Sequence, residues 1–119
     1  MNLNEKLKKL LGVTGLPVEQ DEYTGKSDKY IIFVYTDEHP EAFADNQVTD
    51  DTVCMQIQLI TPKNFNYFEL KKEIRNLLEG ADFFVTSIRS FLGDVYHGTE
   101  KTRQTVFEVT YTESRKVEE

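Results

Sequence analysis

The residues with the clearest chemical capacity form an acidic stretch in the middle of the chain. Oxygen ligands at this density could chelate a hard cation such as Ca²⁺, through Asp45, Asn46, Asp50 and Asp51. The stretch lacks the DxDxDG pattern and the terminal glutamate of a calcium loop, which favours a solvated or partner-facing acidic loop. Between residues 37 and 51 there is no lysine or arginine and there are six carboxylates: Asp37, Glu38, Glu41, Asp45, Asp50 and Asp51.

Three further residues could act as nucleophile, general base or metal ligand: His39, His97 and Cys54. Neither histidine lies in an HxxxH or HExxH pattern and the single cysteine has no CxxC partner, so the sequence offers little from which to build a zinc site. The position of Cys54 inside a β-forming run favours a packed small hydrophobe. We therefore predict no catalytic residue, no metal and no cofactor, with both histidines exposed in loops.

Length and charge limit the class of protein. The chain has 119 residues and 39% hydrophobic residues, which is typical of one globular domain spanning residues 1–119. A net charge of −7 with scattered basic residues disfavours duplex DNA or RNA as the main ligand. Neither a signal peptide nor a spanning helix is predicted, so we expect synthesis in a cytoplasm and no membrane partner.

Hydrophobic periodicity predicts two helices. Asn2 and Glu5 fit a capping box for a short amphipathic helix that ends at Gly12. Asn66 and Glu69 form a second candidate box, opening a longer helix that stops at Gly80.

Four runs rich in β-branched and aromatic residues predict strands, over residues 30–35, 53–60, 83–91 and 105–111. A short edge strand within residues 18–23 would be a fifth. The predicted fold is an α+β two-layer sandwich in the order helix-strand-strand-helix-strand-strand, with a mixed four- to five-stranded sheet and two helices on one face.

The acidic stretch is expected to be a long loop over residues 37–51, because it joins two strands without a helical or strand pattern of its own. A connection of this length is usually functional or disordered. Residues 94–97 form a second predicted loop, and residues 113–119 a frayed tail. The candidate partner-interface residues are Glu41, Phe43, Asp45, Asn46, Asp50, Asp51, Tyr96 and His97.

Several passages of the chain have a recognisable arrangement, beginning at Thr14-Gly15-Leu16-Pro17-Val18 and continuing with Tyr23 and Gly25. The arrangement extends through most of the chain, in the strand at residues 30–35, the sequence Ala44-Asp45-Asn46, the strand ending Thr61-Pro62 and the helix at residues 67–78. Together these passages resemble one family, the tail terminators of long-tailed phages and prophages of Gram-positive bacteria, also called tail completion, head–tail joining or minor tail proteins.

That resemblance implies a structural virion protein and not an enzyme. Such proteins form a six-membered ring on the tail tube, stop its polymerisation and join it to the head connector. The implied partners are further copies of the chain, the tail tube protein and a head completion or connector protein, with DNA only as cargo passing through the lumen. The implied location is the head-proximal end of the tail, after synthesis in the bacterial host cytoplasm.

The residues themselves leave two alternative functions open. One is a small acidic protein-binding or regulatory domain of ferredoxin-like shape, acting alone or as a dimer. The other is an enzyme that uses the Asp45, Asp50 and Asp51 carboxylates with a divalent ion.

Overall fold

The computed structural model describes residues 2–44 and 47–114, and the side chains of residues 2–40 and 50–113. Two helices and five strands follow one another in the chain, with a short 3₁₀ turn at Gly12–Thr14 after the first helix. Their bounds are α1 Leu3–Leu11, β1 Val18–Gln20, β2 Tyr30–Ala44, β3 Gln47–Pro62, α2 Phe68–Gly80, β4 Phe84–His97 and β5 Glu100–Ser114.

The five strands form one mixed sheet in the order β1-β2-β3-β5-β4. β1 runs parallel to β2, whereas the β2–β3, β3–β5 and β4–β5 pairs are antiparallel. Two hairpins therefore supply most of the sheet, and α2 connects them by crossing from β3 to β4 over the intervening β5. The chain is an α+β protein with two helices and a five-stranded mixed sheet, as the sequence predicted at this coarser level.

The core forms where both helices meet one face of the sheet. Alternation along β3 directs Met55, Ile57 and Leu59 to this face, and all three are fully buried. Their cross-strand neighbours on β2 and β5 extend the same apolar surface. The fully buried side chains that close the core from the helices are Leu7, Leu11, Ile74 and Leu78.

The ends of α1 follow the predicted signals. Asn2 Oδ1 accepts a hydrogen bond from the Glu5 backbone N–H at 2.8 Å, and the helix ends at Leu11 before Gly12. Gly15 then has φ of 84°, a left-handed conformation that glycine adopts without a Cβ clash. The start of α2 differs from the predicted capping box. Asn66 Oδ1 accepts a hydrogen bond from the Phe68 backbone N–H at 3.2 Å, but the N-cap residue is Tyr67, whose side chain makes no capping hydrogen bond.

The predicted order of elements is incomplete. Three strands precede α2, because Val18–Gln20 pairs in parallel with β2 and adds an edge strand. The ferredoxin-like shape suggested for the alternative binding domain is also wrong. That shape places a helix between its first two strands, whereas α1 precedes every strand here and β1 to β3 follow without a helix.

The loop predicted over residues 37–51 is wrong over its described part. β2 continues to Ala44 and β3 begins at Gln47, so the acidic residues on both sides pair in a hairpin ladder. Cross-strand pairing outweighs the low strand propensity of aspartate and glutamate, because two preformed strands extend in register from the core. Asp45 and Asn46 lie outside the described residues.

The second predicted loop and the tail also contain strand. Residues 94–97 belong to β4, which turns at Gly98 into β5, and Gly98 has φ of 66°. His97 pairs with Glu100 next to this turn. β5 runs to Ser114, so the predicted fraying at residues 113 and 114 is wrong, and residues 115–119 lie outside the described part.

Replacing Phe107 by alanine is expected to lower the free energy of unfolding by about 3–5 kcal/mol, because its side chain is fully buried in the core. Phe84→Ala is the matched control, since Phe84 lies on a strand but is 68% exposed, and it should change stability by less than about 0.5 kcal/mol. Urea unfolding measures both. Equal losses in the two variants would contradict the placement of the core.

Two buried threonines should respond oppositely to replacement by valine. The Thr61 hydroxyl is buried without a hydrogen-bond partner among the residues that the structure describes, so Thr61→Val should raise stability by about 1 kcal/mol. The Thr102 hydroxyl donates to the Val95 carbonyl oxygen at 2.7 Å, so Thr102→Val should lower it by about 1 kcal/mol. Thermal unfolding of both proteins tests this, and a loss in Thr61→Val contradicts it.

Candidate functional site

The two hairpins point away from opposite ends of the sheet. β3 and β5 are antiparallel, so the ladder that pairs Asp50 with Ser114 at one end pairs Pro62 with Thr102 at the other. Beyond the first end, the pairing of β2 with β3 continues towards residues 44 and 47. Beyond the second, β4 and β5 continue alone towards Gly98. The molecule is accordingly elongated, with extents of 56 × 24 × 23 Å.

The first projection is the acidic arm, defined here as residues 37–44 and 47–51. Asp51 pairs with Pro40 and Asp50 with Ala42, which places these two predicted interface residues on paired strands. Glu41 falls at an irregularity of the ladder between Pro40 and Ala42, and Phe43 pairs with Val48. The sequence thus located the acidic projection but not its β structure.

A β-bulge at Thr36 controls which side chains the acidic arm presents. Tyr35 pairs with Met55, but Asp37 pairs with Cys54, so Thr36 is an extra residue on β2. Because successive strand residues face opposite sides, the extra residue reverses the alternation from that point on. Asp37 and His39 therefore lie on the face opposite the helices, whereas Tyr35 faces the core.

Three potential ligands consequently meet on this face. Asp37, His39 and Cys54 have ligand atoms that all lie within 4.8 Å of one another. The His39 Nδ1 and Asp37 Oδ2 atoms are 2.8 Å apart. The position of Cys54 in a β run had suggested a packed core residue. The structure shows that Cys54 is half-buried and lies outside the core. The sequence offered little from which to build a zinc site and did not reveal this group, because spacing along the chain does not show the cross-strand register.

The second projection is the β4–β5 tip, defined here as residues 94–101. Tyr96 is 54% exposed and pairs with Lys101, and the Lys101 Nζ lies 3.9 Å from an Asp94 carboxylate oxygen. His97 is exposed, as predicted, but it lies on a strand, whereas a loop had been predicted. The structure therefore separates those predicted interface residues that it describes into two groups at opposite ends of the sheet.

The sheet face opposite the helices, called the open face here, carries a polar row across three strands. Gln56 Nε2 donates to Glu108 Oε2 at 2.9 Å, and an Arg89 guanidinium N–H donates to the same oxygen at 3.2 Å. Gln58 Nε2 donates to Gln56 Oε1 at 3.1 Å. Phe84 is exposed at the edge of this face. The alternation of β3 predicted one polar face, but the partners on β4 and β5 required the tertiary structure.

A cleft of about 590 Å³ lies where the acidic arm leaves the core, next to the start of α1. Glu38 and Glu113 line it, and no lysine or arginine is among its described lining residues. Tyr35 also lines it and donates a hydrogen bond to Asn4 Oδ1. Burial, and then the nearby Glu113 carboxylate, raises the pKa of the Tyr35 hydroxyl, which keeps the donor protonated. The cleft could therefore receive a positively charged group.

No helix in the described ranges is long and apolar enough to cross a membrane.

Comparisons with known proteins identify the fold and not a family. No protein-family profile matches the chain, and no curated protein matches it. One solved structure, of a protein whose name describes no function, aligns over 98% of this chain and 92% of its own length, with a TM-score of 0.57 and 12% identity. At that identity the likeness shows the α+β fold alone.

The exposed side chains of the open face and the β4–β5 tip should be dispensable for folding. Arg89→Ala removes an exposed ion pair with Glu108 and should cost less than about 1 kcal/mol of stability. Tyr96→Ala should change stability by less than about 0.5 kcal/mol, because the side chain is more than half exposed. Urea unfolding of both variants checks this. A loss above about 2 kcal/mol in either would show that the surface is needed for the fold.

Proposed function

We propose that this chain is a structural virion protein of a long-tailed phage or prophage, a tail terminator that caps the tail tube as a ring. In that role it stops tube polymerisation and joins the tail to the head connector. It acts by contact and not by catalysis. The family resemblance in the sequence suggests the role, and the arrangement of the two hairpins is the observation that supports it best.

A tail terminator must bind two different partners on opposite sides of one ring. The acidic arm and the β4–β5 tip extend from opposite ends of a sheet, within a molecule 56 Å long. One subunit could therefore contact the tube with one projection and the connector with the other. A rigid sheet between them fixes their separation, because its central strand pairs on both sides.

Ring closure requires a lateral contact between unlike surfaces of neighbouring copies. β4 is an edge strand of the sheet, and exposed edges of this kind pair readily with another chain. Apolar side chains accompany this edge, with Phe84 68%, Phe91 42% and Leu92 41% exposed. This combination of an open strand edge and apolar side chains suits a subunit that is completed by its neighbour.

The charge of the chain suits a ring through which DNA passes. A net charge of −7 gives phosphates little to bind, because capture of the DNA backbone requires clustered lysine and arginine. DNA is then cargo in the lumen and not a ligand.

The acidic cleft favours a second candidate function, a binding domain for a basic segment of another protein. Glu38 and Glu113 would pair there with lysine or arginine of the partner. A protein that stays monomeric with tail tube protein present, and that binds a basic partner until both carboxylates are replaced by glutamine, would support this function over the ring.

The direct test adds the purified protein to polymerising tail tube protein from the same gene cluster. Negative-stain electron microscopy then measures tube length and end occupancy. Short tubes that bear a ring at one end are expected. Tubes of unaltered length with bare ends would contradict the proposal.

Removing the end of the acidic arm should abolish one of the two contacts and leave the fold intact. Deletion of residues 42–49 removes the end of the β2–β3 hairpin, which lies beyond the described β3–β5 ladder, so the core should be retained. Either tube capping or head joining should be lost. Tyr96→Ala at the opposite end is the matched variant and should impair the other contact. Normal, head-joined tails from the deletion variant would contradict a contact role for the arm.

A further inference from the structure

The strongest chemical feature that the proposed contacts do not use is the group formed by Asp37 and His39 of the acidic arm and by Cys54, which lies on β3 at the base of the arm. Its three side chains supply a carboxylate, an imidazole and a thiol, with ligand atoms that all lie within 4.8 Å of one another. Carboxylate, imidazole and thiolate are the three ligand types that Zn²⁺ uses in proteins.

We infer that Asp37, His39 and Cys54 bind a divalent transition-metal ion of the zinc class. The site would cross-link β2 and β3 at the base of the acidic arm. It is independent of the proposed tail role, because it needs only this one chain.

The distances lie within reach of tetrahedral coordination. Zinc bonds of about 2.0–2.3 Å place neighbouring ligand atoms roughly 3.3–3.6 Å apart in a tetrahedron. The His39 Nδ1 and Asp37 Oδ2 atoms are now closer than that, at 2.8 Å, and the largest separation in the group is below 4.8 Å. The His39–Asp37 separation would have to widen by about 0.5 Å, and the other separations would have to shorten by at most about 1.2 Å. A water molecule or a partner's donor would complete the fourth position.

The backbone is arranged to bring these residues together. The bulge at Thr36 is what places Asp37 opposite Cys54 and His39 opposite Thr52. With regular pairing, Thr36 and Glu38 would take those positions, and the imidazole would lie on the other face. Bulges are over-represented at sheet edges, at barrel rims and next to active sites, where they redirect a side chain or end the pairing. The bulge at Thr36 is therefore the backbone feature that brings the three ligand types together.

The donor set selects the class of metal. Ca²⁺ and Mg²⁺ require six or more oxygen ligands, and only one of the three residues supplies oxygen. A thiolate and an imidazole favour Zn²⁺ and Co²⁺ instead. Binding would release the thiol proton of Cys54 as the sulfur–metal bond forms.

Exposure allows an ion to reach the site from solvent. The His39 and Asp37 side chains are 45% and 61% exposed, and Cys54 is half-buried. All three residues belong to paired strands, and this pairing already restricts their backbone motion. A metal ion would therefore have to order less of the chain when it binds. An ion here would join the two strands just outside the helix-covered core and stiffen the acidic arm.

The test is a Co²⁺ titration of the untagged, reduced and chelator-treated full chain. A thiolate-to-cobalt charge-transfer band in the near ultraviolet and the visible d–d bands of tetrahedral cobalt are expected, with one ion per chain. Cys54 is the chain's only cysteine, so any thiolate band arises from this position. Addition of Zn²⁺ should abolish the bands, and Ca²⁺ should not.

The variants separate a three-residue site from a thiol that binds metal alone. His39→Ala and Asp37→Asn should each weaken binding by about 100-fold or more, because loss of even an outer-shell partner weakens metal sites by 10- to 100-fold. His97→Ala and Asp94→Asn are matched controls at the opposite end of the molecule, and both should bind as the wild type does. Both His39 and Asp37 are exposed, so their replacement leaves the core unchanged.

Three outcomes would overturn the inference. The first is absence of the thiolate band at millimolar Co²⁺. The second is unchanged affinity in His39→Ala, which would identify Cys54 as a thiol acting without the imidazole. The third is a stoichiometry of one ion per two chains, which would place the metal between copies. Zn²⁺ should also raise the melting temperature of the wild type and not that of His39→Ala.

Discussion

The structure depends on pairing of β3 along both of its edges. This 16-residue strand forms ladders with β2 on one side and β5 on the other, and its apolar residues supply the centre of the core. Both hairpins therefore share one rigid strand as their common support. Because the pairing continues past the helices, the same strand that holds the core together also carries the acidic arm away from it.

Polar contacts attach α1 to three strands of this sheet, β1, β2 and β5. Asn4 contacts Gln20 of β1 at 2.9 Å and accepts a hydrogen bond from Tyr35 of β2. Lys6 donates to the Tyr111 hydroxyl of β5 at 2.7 Å and lies over the same ring. These contacts orient the helix across three strands and so complement the apolar packing of its leucines, which alone would tolerate sliding.

In this fold, the residues that form the core are different from the residues on the surfaces proposed to contact partners. Most of the buried apolar residues lie beneath the helices, whereas the acidic arm, the β4–β5 tip and the exposed polar row of the open face lie outside that region. In the proposed virion role, the projections would bind partners without disturbing the core. Surface variants of this chain would then test the proposed contacts more directly than they test folding.

The sequence by itself determined both helices, the central parts of four strands, the α+β class and the acidic character of residues 37–51. These features follow from local periodicity, capping residues and composition, which act over a few neighbouring positions. It did not determine the length of the hairpins, because pairing with a neighbouring strand overrides the low strand propensity of charged residues. Only the tertiary structure decided that Asp37 and His39 face Cys54. That juxtaposition depends on one bulge residue at Thr36 and on the register between two strands, and neither is encoded in the spacing of the ligands along the chain.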